Sequence, residues 1–106
     1  MNLEDHSRIP IRVTNLWRCG EDSKVTIISD AEFRIRIFKI NAVGSEIWKL
    51  CDGIRNEEDI ATILQDSFDN RPTFEVIKSD VSKFLNYLRD QWLVLWKTEL
   101  EAEGLR

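Results

Sequence analysis

Side chains able to do covalent or acid–base chemistry are scarce in this sequence of 106 residues. The one histidine, His6, lies in a polar lead-in from Met1 to Arg8. A Ser/His or Cys/His pair would therefore have to be assembled in a tail, where nothing holds the base within reach of its proton. His6 reads as a solvated residue. Cys51 falls at the end of a predicted helix on its core side, far from the electropositive helix start that would activate a thiolate. A buried cysteine of that kind behaves as a small hydrophobe. Cys19 sits in the turn Cys19-Gly-Glu-Asp-Ser23. The two thiols are too far apart in sequence to suggest a framework, and they read as the reduced cysteines of a cytoplasmic protein.

Metal chemistry has no foothold either, because no C-x-x-C or H-x-x-x-H spacing occurs. The four glycines are scattered turn markers, and none forms a phosphate loop after a strand, so no cofactor is expected. The acidic run Glu57-Glu58-Asp59 complements a helix start, and Glu99-Leu-Glu-Ala-Glu103 reads as a solvated face. These residues predict a protein that is not an enzyme.

Its bulk properties point to one globular domain. Apolar residues make up 42 %, too many for a disordered chain and enough for a core at this length. The net charge of −4 is a poor footprint for a nucleic-acid binder, which must neutralise phosphates. No apolar run reaches the length of a membrane span, and the acidic start is unlike a secretory signal.

Three strands and three helices follow from the patterning. Residues 9–15 alternate apolar with polar residues or proline, with Pro10 at the strand's start or on an edge because it lacks an N–H. Lys24 to Ser29 is β-branched and short. Phe33 to Lys39 alternates most cleanly, with Ile35 and Ile37 on one face and Arg34 and Arg36 on the other. Short links make the three an antiparallel meander. Asn41 then caps a helix whose stripe is Val43, Ile47, Trp48 and Leu50 or Cys51, stopped by Asp52-Gly53. Asn56 and Asp59 resemble a capping box at the start of a second helix, with Ile60, Ile63, Leu64 and Phe68 on its buried face.

Thr73 caps a third helix, Phe74 to about Asp90, with Ile77, Val81, Phe84, Leu85 and Leu88 on its stripe. Gln91 to Trp96 reads as a short closing strand. Trp48 and Trp92 match core stripes, whereas Trp17 and Trp96 lie near strand ends and should be half exposed. The order predicts a winged-helix-like α+β domain: a three-stranded antiparallel sheet followed by three helices. Its expected bounds are a lead-in over residues 1–8, the domain over 9–96, and a charged, frayed tail over 97–106.

The stretch from Ile40 to Arg55 resembles the PqqD family, also called the RiPP recognition element. The likeness rests on Ile40-Asn41, Gly44, Ile47-Trp48, Cys51-Asp52-Gly53, Arg55 and Glu57-Glu58-Asp59-Ile60-Ala61. It continues through Asp80-Val81, Phe84-Leu85, Leu88 and Trp92-Leu93, and so covers about Lys24 to Leu95. Gln91 departs from the pattern by standing where many members have Gly. The third strand is also more basic than is usual, and the N-terminal third does not match the dedicated pyrroloquinoline quinone member closely.

The resemblance implies a stand-alone, non-catalytic protein of some peptide-modification cluster. Such a protein captures the leader of a ribosomally made precursor peptide and serves a modifying enzyme, commonly a radical SAM enzyme. Capture by strand addition would use the third strand as a sheet edge, with Phe33, Arg34, Ile35, Arg36, Ile37, Phe38 and Lys39 as peptide-binding residues. Phe38, out of phase with Ile35 and Ile37, is the candidate aromatic at the groove mouth. The third helix is the family's second wall. One flank carries Val76, Asp80, Lys83 and Tyr87 and the other Lys78, Ser82 and Arg89. The first is favoured because it offers apolar contact and a phenol. Arg34, Arg36 and Lys39 either attract an acidic leader or simply protect the edge from indiscriminate pairing.

Two other readings share the layout. A DNA-binding winged helix needs a basic recognition helix, yet residues 56–69 carry five carboxylates and no Lys or Arg. A scaffold docking only to a larger enzyme would use Trp17, Trp96 and the charged tail.

Overall fold

A computed structural model describes residues 8–30, 34–68 and 72–104. Among the described residues nine elements run in the order β1 (Pro10–Arg12), β2 (Trp17–Cys19), β3 (Val25–Ser29), β4 (Arg36–Lys39), α1 (Ala42–Lys49), α2 (Glu57–Ser67), α3 (Phe74–Asp90), β5 (Val94–Trp96) and α4 (Lys97–Gly104). The fold is α+β, with an antiparallel sheet in the order β2-β3-β4 followed by the helices.

The expected meander survives with a different first strand. Residues 9–15 do not join it: β1 pairs with β5, in the register Pro10↔Trp96 and Arg12↔Val94. Its place beside β3 is taken by β2, in residues the sequence shows as the approach to a turn. The reason lies in what β1 can satisfy. Arg12 N–H donates to the Cys51 carbonyl at 3.1 Å, and Gly53 N–H donates to the Pro10 carbonyl at 3.0 Å. The Arg12 guanidinium donates to the Trp48 and Lys49 carbonyls at 3.1 and 2.9 Å, filling acceptors left open at the end of α1. Strand β1 thus clasps the end of α1 to the closing strand.

The helix starts follow the sequence. Asn41 accepts from Gly44 N–H, and Asn56 with Asp59 closes a reciprocal capping box. Residues expected as a frayed tail form α4. Its Glu99 accepts from Arg89 at 2.6–3.1 Å and from Trp96 N–H at 2.8 Å. The Arg89 guanidinium, aided by that N–H, holds the Glu99 carboxyl below its ordinary range despite partial burial.

The core joins Val25 and Ile27 of the sheet to Ile47, Trp48 and Cys51, to Ile60, Ala61 and Leu64, and to Ile77, Val81, Leu85 and Leu88. Trp48 is fully buried and meets Trp17 edge to face at 6.1 Å. Burial pushes the Cys51 thiol up to about 12, so it stays protonated and inert at neutral pH. Glu57 is more than a helix-start carboxylate. It is 1 % exposed and accepts from Arg8 at 2.6 and 3.2 Å and from the Ser82 hydroxyl at 2.6 Å.

One glycine is required by close approach. A Cβ on Gly44 would stand 2.7 Å from both Ile40 Cγ2 and Phe84 Cζ. Gly44→Ala should therefore force the Phe84 ring outward and lower stability by about 1–3 kcal/mol, the range for overpacking. Chemical denaturation against the wild-type chain checks this.

A candidate peptide groove beside an open strand edge

Strand β4 is an edge of the sheet, and its pairing phase can be derived. Ile40 N–H donates to the Val25 carbonyl at 2.9 Å, and the register pairs Ile27 with Phe38 and Ser29 with Arg36. In an antiparallel ladder every second pair is hydrogen-bonded. Arg36, Phe38 and Ile40 therefore spend their backbone groups on β3. The phase is consistent on the other side of β3, where Ile28 N–H donates to the Leu16 carbonyl at 2.8 Å. It follows that Ile35, Ile37 and Lys39 aim their N–H and C=O groups away from the sheet. Among the described residues no strand pairs with that edge.

The two faces of β4 have different surroundings. Ile35 and Ile37 are 73 % and 63 % exposed, on the solvent side of the sheet. Arg36 and Phe38 turn inward, and Phe38 packs against the core. A charged residue on the inner face is tolerated because it is satisfied there. The Arg36 guanidinium donates to Gln91 Oε1 at 3.2 Å and to the Gln91 carbonyl at 3.0 Å, and it lies 5.1 Å from the Phe38 ring centre.

Those bonds also orient the second wall. Gln91, at the end of α3, meets Arg36, while Phe84 meets Ile40 and Gly44. Helix α3 thus runs antiparallel to β4. Phe84, Tyr87 and Gln91, at helical spacing, lie along the groove side. Phe84 and Tyr87 stack at 5.9 Å between ring centres, and Tyr87 is exposed. Arg36 lies against Phe38 on β4, and Phe84 stacks with Tyr87 on α3.

Of the remaining expected residues, Asp80 lies one turn before Phe84. There it lines, with Val43, a cavity of about 70 Å³ between the three helices. Val76 is exposed one turn further, and Lys83 is exposed next to Phe84. Arg34 and Lys39 are exposed, and Phe33 lies outside the described residues. The opposite flank of α3 is occupied: Ser82 bonds Glu57, and Arg89 bonds Glu99. Sequence reasoning passed over Phe84 as a core residue and Gln91 as a turn residue. Their signal was the spacing 84–87–91, which continues the line from Asp80.

Trp92 is exposed rather than buried as its place on the core stripe suggested. Among the described residues no three metal-ligating side chains cluster. No described helix is long and apolar enough to cross a membrane.

A small α+β domain of winged-helix-like layout, with an unpaired strand edge beside an aromatic helix face, is a peptide-binding architecture in outline. The family model described as coenzyme PQQ synthesis protein D (PqqD) matches residues 26–94, and the chain belongs to that family. Its members are non-catalytic accessory proteins that bind the precursor peptide and work with a modifying enzyme. No curated protein and no solved structure matches the chain.

Proposed function

We propose that this chain captures a leader peptide as an added strand on β4 and presents it to a modifying enzyme, of which a radical SAM enzyme is the leading candidate. The observation that supports this most is the phase of β4. The backbone groups of Ile35, Ile37 and Lys39 point away from β3, on an edge with which no described strand pairs. Backbone pairing supplies affinity, and alternate side chains of the guest enter the groove and supply choice. Arg34 and Lys39, both exposed, favour an acidic leader through its rate of encounter. Arg36 is already held by Gln91 and serves as a fixed end to the groove.

The test is a titration of isotope-labelled chain with the leader of the precursor encoded beside its gene. Amide shifts should be largest at Ile35, Ile37 and Lys39, with side-chain shifts at Tyr87. Shifts concentrated on α2 or β2 instead would overturn the assignment.

A further inference from the structure

The outward face of the three-stranded sheet is apolar where such a face is ordinarily polar. An antiparallel sheet with one side on a core alternates apolar residues inward with polar residues outward. Here the register sets Ile28 beside Ile37, and Ile28 N–H donates to the Leu16 carbonyl. Leu16, Ile28 and Ile37 therefore form one row across the strands. Their neighbours in alternation, Trp17, Ile27 and Phe38, pack on the core. All three residues of the row are exposed, and Ile35 continues the patch. Four contiguous aliphatic side chains reach the scale, a few hundred Å², at which exposed patches mark protein contacts.

Charges are sorted to the two ends of this patch. On one side Arg18 and Lys39 flank Thr26 in the next row, with Lys24 close by. Asp22, the carboxylate beside them, turns back to accept from Lys24 N–H at 3.0 Å. On the other side Asp30, exposed and two residues on from Ile28, follows on the same face by alternation. Arg34 and Arg36 belong by the same alternation to the opposite face, where Arg36 bonds Gln91.

A second copy of the chain fits that layout when turned about a two-fold axis along the Leu16–Ile28–Ile37 row. Each aliphatic side chain then meets its own counterpart, as an isologous contact requires. The two sheets stack with their strands nearly aligned, which is one of the two ordinary packings. Asp30 of one copy falls over Thr26 of the other, between Arg18 and Lys39. An axis along the strands would instead set Arg18 over Lys39, where like charges repel.

We propose that this face joins two copies of the chain, sheet to sheet, in a weak dimer. A contact three strands wide lies at the low end of specific interfaces, so the dimer dissociates readily. Only the face is used. The β4 edges of the two copies stay open on the same side, so the proposal stands apart from strand addition.

The test is sedimentation equilibrium of the peptide-free chain from about 10 µM to 1 mM. The average mass should rise with concentration towards that of two copies. Leu16→Thr with Ile28→Thr removes the apolar row while keeping residues suited to a sheet, and circular dichroism checks its fold. Its dissociation constant should be raised about tenfold or more. Asp30→Lys should raise it about three- to tenfold, and adding Arg18→Glu should recover part of that loss, because the pair re-forms with its signs exchanged.

A chain that stays monomeric throughout, or a dimer indifferent to the threonine pair, overturns the proposal. So does an Asp30→Lys loss that Arg18→Glu leaves untouched, and that comparison decides alone if the threonine pair fails to fold. A monomer whose threonine pair no longer associates with the modifying enzyme also overturns it, and assigns the face to that partner.

Discussion

Ile37→Pro should lower peptide affinity by roughly ten- to a hundredfold while leaving the fold intact. The Ile37 N–H points off the sheet, so proline removes no bond to β3 and is tolerated on an edge. It does remove a donor the guest would use and leaves the guest's carbonyl without its partner. An unmatched group of that kind costs about 1–3 kcal/mol, which is the stated loss in affinity. Phe38→Pro, one residue on, is the control. Phe38 faces its partner Ile27 in a hydrogen-bonded pair, so proline there breaks the ladder inside the sheet. It should unfold or strongly destabilise the domain, by about 3 kcal/mol or more. Calorimetry and thermal circular dichroism on the pair read both effects. Normal binding by Ile37→Pro would mean the guest does not add to β4.

Arg8→Ala should be the most damaging single truncation outside the core. Glu57 is 1 % exposed, and Arg8 supplies its cation through two contacts. The two residues are also joined through the backbone, Glu57 N–H donating to the Arg8 carbonyl at 3.1 Å. Removing one partner of a buried pair costs up to about 3–5 kcal/mol, and less here because Glu57 keeps the Ser82 hydroxyl. Arg8 is itself 38 % exposed, so the loss should not exceed about 3 kcal/mol. A loss of that size lowers the midpoint of a domain this size by roughly 12–24 °C. Glu57→Gln should also lose stability, since its one amide oxygen replaces two acceptors and its NH2 faces an Arg8 donor, although no carboxylate charge is left buried. Thermal melts at neutral pH decide the matter, and a drop of only a few degrees in Arg8→Ala would show that the pair is replaceable.

Much of the helical half was legible because its signals are local. Asn41, Asn56 and Thr73 each cap the helix expected of them, and Ile60, Leu64, Ile77, Val81, Leu85 and Leu88 are buried as their spacing indicated. The pairing of β1 was not legible. Ile9 to Asn15 reads as a strand on its own, but its partner lies more than 80 residues away, at Val94–Trp96. Alternation in β4 showed that two faces exist without showing which one meets the helices. The ordinary preference for isoleucine inside failed there, with Phe38 rather than Ile37 packed against the core. Arg36 is accepted on the inner face only through Gln91, a long-range bond no local pattern announces. Val43 and Ile63, exposed despite their places on apolar stripes, miss burial for the related reason that each lies at the margin of its helix's packed face.

Keeping a sheet margin open for a visitor also leaves it open to another molecule of the same kind, and crowding would make such self-pairing a route to precipitation. The β4 rim carries exposed Arg34 and Lys39 on either side of two bare isoleucines. Two copies meeting there would bring like charges together along one seam, whereas an acidic visitor would neutralise them. Selectivity for a foreign strand and solubility at high concentration would thus have a common electrostatic origin, and both should fade together as salt is raised.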